Sequence, residues 1–122
     1  MMKYVLLAYG DEKQLAAMSL SERDAFEDAC RSNVELLRQR GRLLAEEGLQ
    51  SGHTATTVRV WNGQVSVTAG PFTEANDQLM RLFFIDARDL NEAIQVAAQM
   101  PQAHGGPIEV RPMTEFDAAC HS

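Results

Sequence analysis

The chain has 122 residues, 45% of them hydrophobic and 23% charged, a balance that suits one globular domain and excludes a wholly disordered chain. Its formal net charge is −6, scattered along the sequence with short clusters at Asp11-Glu12 and Glu46-Glu47. That charge argues against nucleic-acid binding, which depends on Lys and Arg neutralising phosphates, and reads instead as a solvated exterior.

Residues 2–9, rich in Tyr, Val and Leu, predict a first strand stopped by Gly10-Asp11. This apolar run is too short for a membrane span and has no small-residue cleavage site of the signal-peptide kind, so a strand is expected and no membrane association. A polar connector with the amphipathic piece Leu15-Ala16-Ala17-Met18 follows. Ser19-Leu20-Ser21-Glu22 fits a capping box, and Phe26, Cys30, Val34 and Leu37 recur at helical spacing until Gly41, which predicts a helix over about residues 21–40. Leu43-Leu44-Ala45 through Gly48-Leu49 reads as a second strand, and Ser51-Gly52-His53 as a loop.

Thr57 to Trp61 and Gln64 to Thr68 alternate apolar and polar residues around Asn62-Gly63, the strongest short-range signal for a β-hairpin. The Gly70-Pro71-Phe72 turn follows. Leu79 to Asp86 is an apolar run expected to form a central strand. Asp89 caps a second helix whose expected buried stripe is Leu90, Ala93, Ile94 and Ala97, ending at Pro101. Ile108-Glu109-Val110-Arg111 is the last strand, closed by Pro112. One domain over residues 1–116 and a tail over 117–122 are expected. Cys30 and Cys120 read as free thiols in a reducing, cytoplasmic setting, the first a small core residue and the second exposed tail.

With the hairpin set aside as an insertion, the order is β-α-β-β-α-β, the ferredoxin-like α+β arrangement. Both helices then cover one face of an antiparallel sheet, and the other face needs a partner. A second copy of the same sheet is one way to supply it, so a homodimer is expected.

Strand alternation places Glu109 and Arg111 on the face away from the helices, and Arg59 alternates likewise with Val58 and Val60. These three charges, with Tyr9 at the end of the first strand, are the expected ligand-binding set, because an Arg fork fits a carboxylate. The competing reading of Glu109 and Arg111 is an ion pair at the interface between copies. Glu74 and Asp77 after the central turn are candidate general bases, against the simpler roles of turn capping and solvent exposure. His53 and His104 are candidate proton carriers in polar loops, and Tyr4 a second cleft residue. Asp86 and Asp89 flank the end of the central strand, with Asp89 read first as a helix cap. The three histidines His53, His104 and His121 lack metal-ligand spacing, and neither a metal nor a cofactor is expected.

Several segments together resemble the YCII-related family, in the branch named after its Asp-Gly-Pro-Phe turn. They are Lys3 to Glu12, Gly48-Leu49-Gln50, Ala55 to Arg59, Gly70 to Glu74, Gln78-Leu79, Phe84-Ile85, Asp89 to Ala93 and Gly105 to Pro112. The resemblance implies a ferredoxin-like fold that pairs as a dimeric α/β barrel. It also implies a largely uncharacterised function, with relatives resembling muconolactone isomerases and genes often beside extracytoplasmic-function sigma factors. Two positions depart from the pattern. Ala69 stands where the turn's Asp is expected, and Met80-Arg81 where a Gly-Gly pair is expected. The expected function is binding of a small polar or anionic organic molecule in a dimer cleft, with lyase or isomerase acid–base chemistry. The alternative is a non-catalytic regulatory or interaction module tied to sigma-factor signalling.

Overall fold

The computed structural model describes residues 1–114. The expected domain end at 116 and the tail, with Cys120 and His121, lie outside the described residues. The first strand, β1 (Met2–Asp11), alternates strictly: Tyr4, Leu6 and Ala8 are buried, while Val5, Leu7 and Tyr9 face the other way and are half-buried. Asp11 ends the strand and at once caps a short helix, α1 (Glu12–Ala16), its side chain accepting from the Lys13 N–H at 2.9 Å. The sequence showed this helix only as an amphipathic fragment.

The long helix α2 (Leu20–Gln39) begins at the expected capping box. Ser19 accepts from the Glu22 N–H at 3.1 Å, and the Glu22 carboxylate accepts from the Ser19 N–H at 3.2 Å. Strand β2 (Leu43–Gly48) returns along the sheet edge. The hairpin β3 (Thr56–Trp61) and β4 (Gln64–Ala69) then forms a separate two-stranded sheet. Its turn has Asn62 and Gly63 both at positive φ (50° and 75°), which a twist-matched two-residue hairpin turn requires. Strand β5 (Asp77–Ala87), helix α3 (Leu90–Ala98) and strand β6 (Ile108–Pro112) complete the chain.

The main sheet has the order β2-β5-β1-β6 with every neighbouring pair antiparallel. Together with the helix crossovers this is the ferredoxin-like arrangement expected from the element order. Its helix face carries the core of Tyr4, Leu6, Phe83, Ile85 and Met100, with Ala8, Ala87, Ala93 and Ala97 letting the helices approach closely. The stripe of α3 differs from the expectation. Leu90 and Ile94 are half-exposed, while Ala93, Val96, Ala97 and Met100 face inward. Ala93 and Ala97, with Val96 and Met100, lie against the sheet in place of Leu90 and Ile94.

The far ends of β1 and β6 meet closely at Gly106. Any side chain there would run into the Tyr9 carbonyl and crowd the Gly10 Cα. The Tyr9 N–H donates to the Pro107 carbonyl at 3.0 Å across the same seam.

Candidate functional site

Two places on this fold gather polar groups, one on each face of the main sheet. On the open face, Leu7 pairs with Glu109 and Val5 with Arg111, so the charged residues of β6 border an apolar strip of Val5, Leu7, Leu82 and Phe84. The Tyr9 hydroxyl donates to Glu109 Oε1 at 3.2 Å, and Arg111 Nε lies 3.8 Å from Glu109 Oε2. Burial pushes the Tyr9 phenol above its ordinary pKa, and the Glu109 carboxylate, bonded to it and negatively charged, pushes the same way. Arg111 acts against them.

Three of the four residues expected to bind a ligand are therefore together. The fourth, Arg59, stands on the separate hairpin sheet with its guanidinium 5.0 Å from the centre of the Phe72 ring. Among the described residues no hydrogen bond or ion pair joins Arg59 to Glu109 or Arg111. The alternation of β3 placed Arg59 correctly relative to Val58 and Val60, but periodicity does not say which sheet a strand joins. Glu74 and Asp77 are exposed, and His53 is exposed in the short 3₁₀ turn Gly52–Thr54. None of the three shares a bond with the Tyr9 cluster. Asp89 is the N-cap of α3, accepting from the Glu92 N–H at 2.9 Å. Tyr4 belongs to the core, not to a cleft.

The second place was not foreseen. Between α2 and the helix face of the sheet lies a cavity of about 1690 Å³. Typical small-molecule pockets occupy roughly 300–1,000 Å³, so this one has room for an organic ligand and its water. The inward stripe of α2 explains why it exists. Val34 and Leu37 are buried against the sheet, but Phe26 and Cys30, two and one turns earlier, are only half-buried because they face open space. Met18 and Leu15 close the near end, and Gln102 and His104 of the 3₁₀ turn Pro101–His104 form the opposite wall.

The floor carries Met80 and Arg81, the two residues that stand in place of the expected glycines. Arg81 pairs with Ala8 and follows the alternation of buried Phe83, Ile85 and Ala87, so it lies on the helix side. Just beyond it the register shifts, Tyr9 pairs with Leu79, and Met80 is the extra residue of a bulge in β5. Glycines make room for both. A Cβ at Gly10 would meet the Met80 sulfur at 2.6 Å, and one at Gly48 would meet the Arg81 guanidinium at 3.1 Å. Arg81 pairs with Glu46 at 3.4 Å and keeps 39% of its side-chain surface exposed, so the guanidinium still has free donors. Burial raises the Cys30 thiol pKa, partly offset by Arg81. The Gln102 Oε1 atom is buried without a partner.

Arg81, Glu46 and Cys30 carried no recognisable motif, and the only sequence signal was the departure at Met80-Arg81. Among the described residues no cluster of three or more His, Cys, Asp or Glu has the geometry to hold a metal ion, and no helix is long and apolar enough to cross a membrane.

A ferredoxin-like α+β sheet with an inserted hairpin and a cavity under its first long helix defines the class. The YCII-related domain matches residues 2–117, and an uncharacterised protein of Rhizobium meliloti (strain 1021) is 31% identical over 117 residues, covering 94% of each chain. The chain belongs to the YCII-related family.

Proposed function

We propose that the protein binds a small organic molecule with an apolar body and one anionic end in the cavity between α2 and the sheet, its anion held by Arg81. The observation that carries this reading is the Arg81 guanidinium propped against Gly48 at the floor of a largely apolar cavity, whose lining also includes Arg23, Arg31 and Arg38. Arg offers a planar fork that matches a carboxylate, and its pairing with Glu46 is loose enough at 3.4 Å to be shared or displaced. Phe26, Met18 and Met80 supply adaptable apolar walls. His104 lines the same cavity and is the group placed to move a proton if the bound molecule is turned over. Binding without turnover fits a regulatory module equally well, and the two differ only in whether His104 matters to the ligand's fate.

The same reading includes assembly of two copies over the open sheet face, whose Val5, Leu7, Leu82 and Phe84 are only half-buried among the described residues. The Tyr9–Glu109–Arg111 cluster then lies along the seam and serves as an interface network.

The test is a thermal-shift and calorimetric screen of aromatic and branched aliphatic monocarboxylates. A true ligand at a hundred times its Kd stabilises by about 2.7 kcal/mol, roughly 10 °C for a domain of this size. Arg81→Met should weaken that ligand about 10- to 100-fold, the worth of a charge-assisted hydrogen bond in a sheltered site. Unchanged affinity in Arg81→Met would remove the assignment.

A further inference from the structure

We propose that the β3–β4 hairpin is an arm that clasps a second copy of this chain through its valine face. The inference rests on the two-copy assembly above and assigns the arm a part in it. The pairs Val58–Val67 and Val60–Val65 place four valines on one side of the ribbon, each 59–66% exposed, and every strand residue of the hairpin except Thr57 is exposed. A lone two-stranded hairpin is marginal in water. Its edges also carry no Pro, Lys or bulge of the kind that blunts an unpaired strand. The arm is nonetheless firmly rooted. The Gly70 N–H donates to the Ala55 carbonyl at 2.7 Å, and the Thr57 hydroxyl to the Gly70 carbonyl at 2.9 Å. Just upstream, Ser51 Oγ and the Gly52 N–H both donate to the Glu12 carboxylate at 2.7 Å. It is held out from the body with its apolar face bare.

Charge selects a second copy as the occupant. Residues 52–73 contain no Asp or Glu and one Arg, while all 17 acidic residues of a chain with net charge −6 lie elsewhere. The arm is thus a stretch of surface that approaches another acidic copy without like-charge repulsion. Four valines fall short of the roughly 800 Å² per partner of a standard interface. The arm and the open sheet face are therefore two parts of one two-fold contact, which satisfies both apolar surfaces in both copies at once.

Hydrogen exchange read by mass spectrometry, alongside sedimentation velocity across a concentration series, tests this. Amides of residues 55–70 should exchange about tenfold more slowly once the dimer forms. Val60→Glu combined with Val67→Glu should abolish that slowing and weaken the dimer at least about tenfold. Protection of β1 and β5 should persist, showing an intact fold. A dimer whose arm amides exchange as fast as in the dilute monomer overturns the arm and leaves the sheet-face assembly standing. A chain that stays monomeric at every concentration overturns both. Protection that arises only on adding phosphatidylglycerol vesicles assigns the arm to a membrane surface and overturns the proposal.

Discussion

Tyr9 stands where the β1–β5 register shifts, its backbone at the cavity wall on one side of the sheet and its hydroxyl on Glu109 at the other. Burial first, then the bond to Glu109 and its charge, raise the phenol's pKa above the ordinary 10.0. The protonated phenol is thus favoured by the fold. Its contribution to stability is fully present below the ordinary tyrosine pKa and is lost as pH rises through the raised value. Glu109→Gln removes the charge and should bring the Tyr9 pKa down toward the ordinary value. Tyrosinate absorbance checks this in a Tyr4→Phe background, where Tyr9 alone reports; an unmoved titration would show that burial alone sets the shift. Tyr9, Glu109 and Arg111 were legible in the sequence because the two-residue period of a strand is a local property. Arg81 was not, because it stands inside an apolar run that reads only as a central strand, and its room depends on Gly48 in a neighbouring strand.

Helix α2 shows how much of an element its own sequence specifies. The Ser19–Glu22 box and the apolar stripe were legible, since capping and helical period act within a few residues. How firmly the stripe is seated was not. Only Val34 and Leu37 reach the core, so the first two-thirds of the helix roofs the cavity with few contacts to hold it. The cap therefore matters most at the end that packing supports least. Ser19→Ala should cost about 1 kcal/mol of stability, read from urea unfolding. It should also speed hydrogen exchange in residues 20–26 more than in residues 33–39, because local opening follows local contact density. Equal acceleration along the helix would mean that the roof is held by tertiary contacts after all. Helix α3 carries the opposite lesson. Its large residues Leu90 and Ile94 point outward because the sheet is approached through Ala93 and Ala97, a choice of side that size and hydropathy alone do not reveal.

At the scale of the whole molecule, the element order was enough to give the β2-β5-β1-β6 sheet, because few topologies satisfy two split crossovers over one sheet. Order does not locate an insertion, and the hairpin that carries Arg59 proves to be its own sheet, projecting with its valines bare. The open face poses the corresponding question for the main sheet. Phe84 projects from that face at its centre, between Ala45 of β2 and Val5 of β1. Because it lies outside the core cluster, Phe84→Asp should leave circular dichroism unchanged while weakening the proposed two-copy assembly. Each copy loses an aromatic contact and gains a carboxylate at the seam, so a drop in association on the order of a hundredfold is expected by sedimentation. Combining it with Val60→Glu then separates one interface from two. If arm and sheet face belong to a single two-fold contact, the paired substitutions fall short of the sum of the separate effects, since the first already releases what the second would break. Strict additivity would place the arm and the face on independent partners.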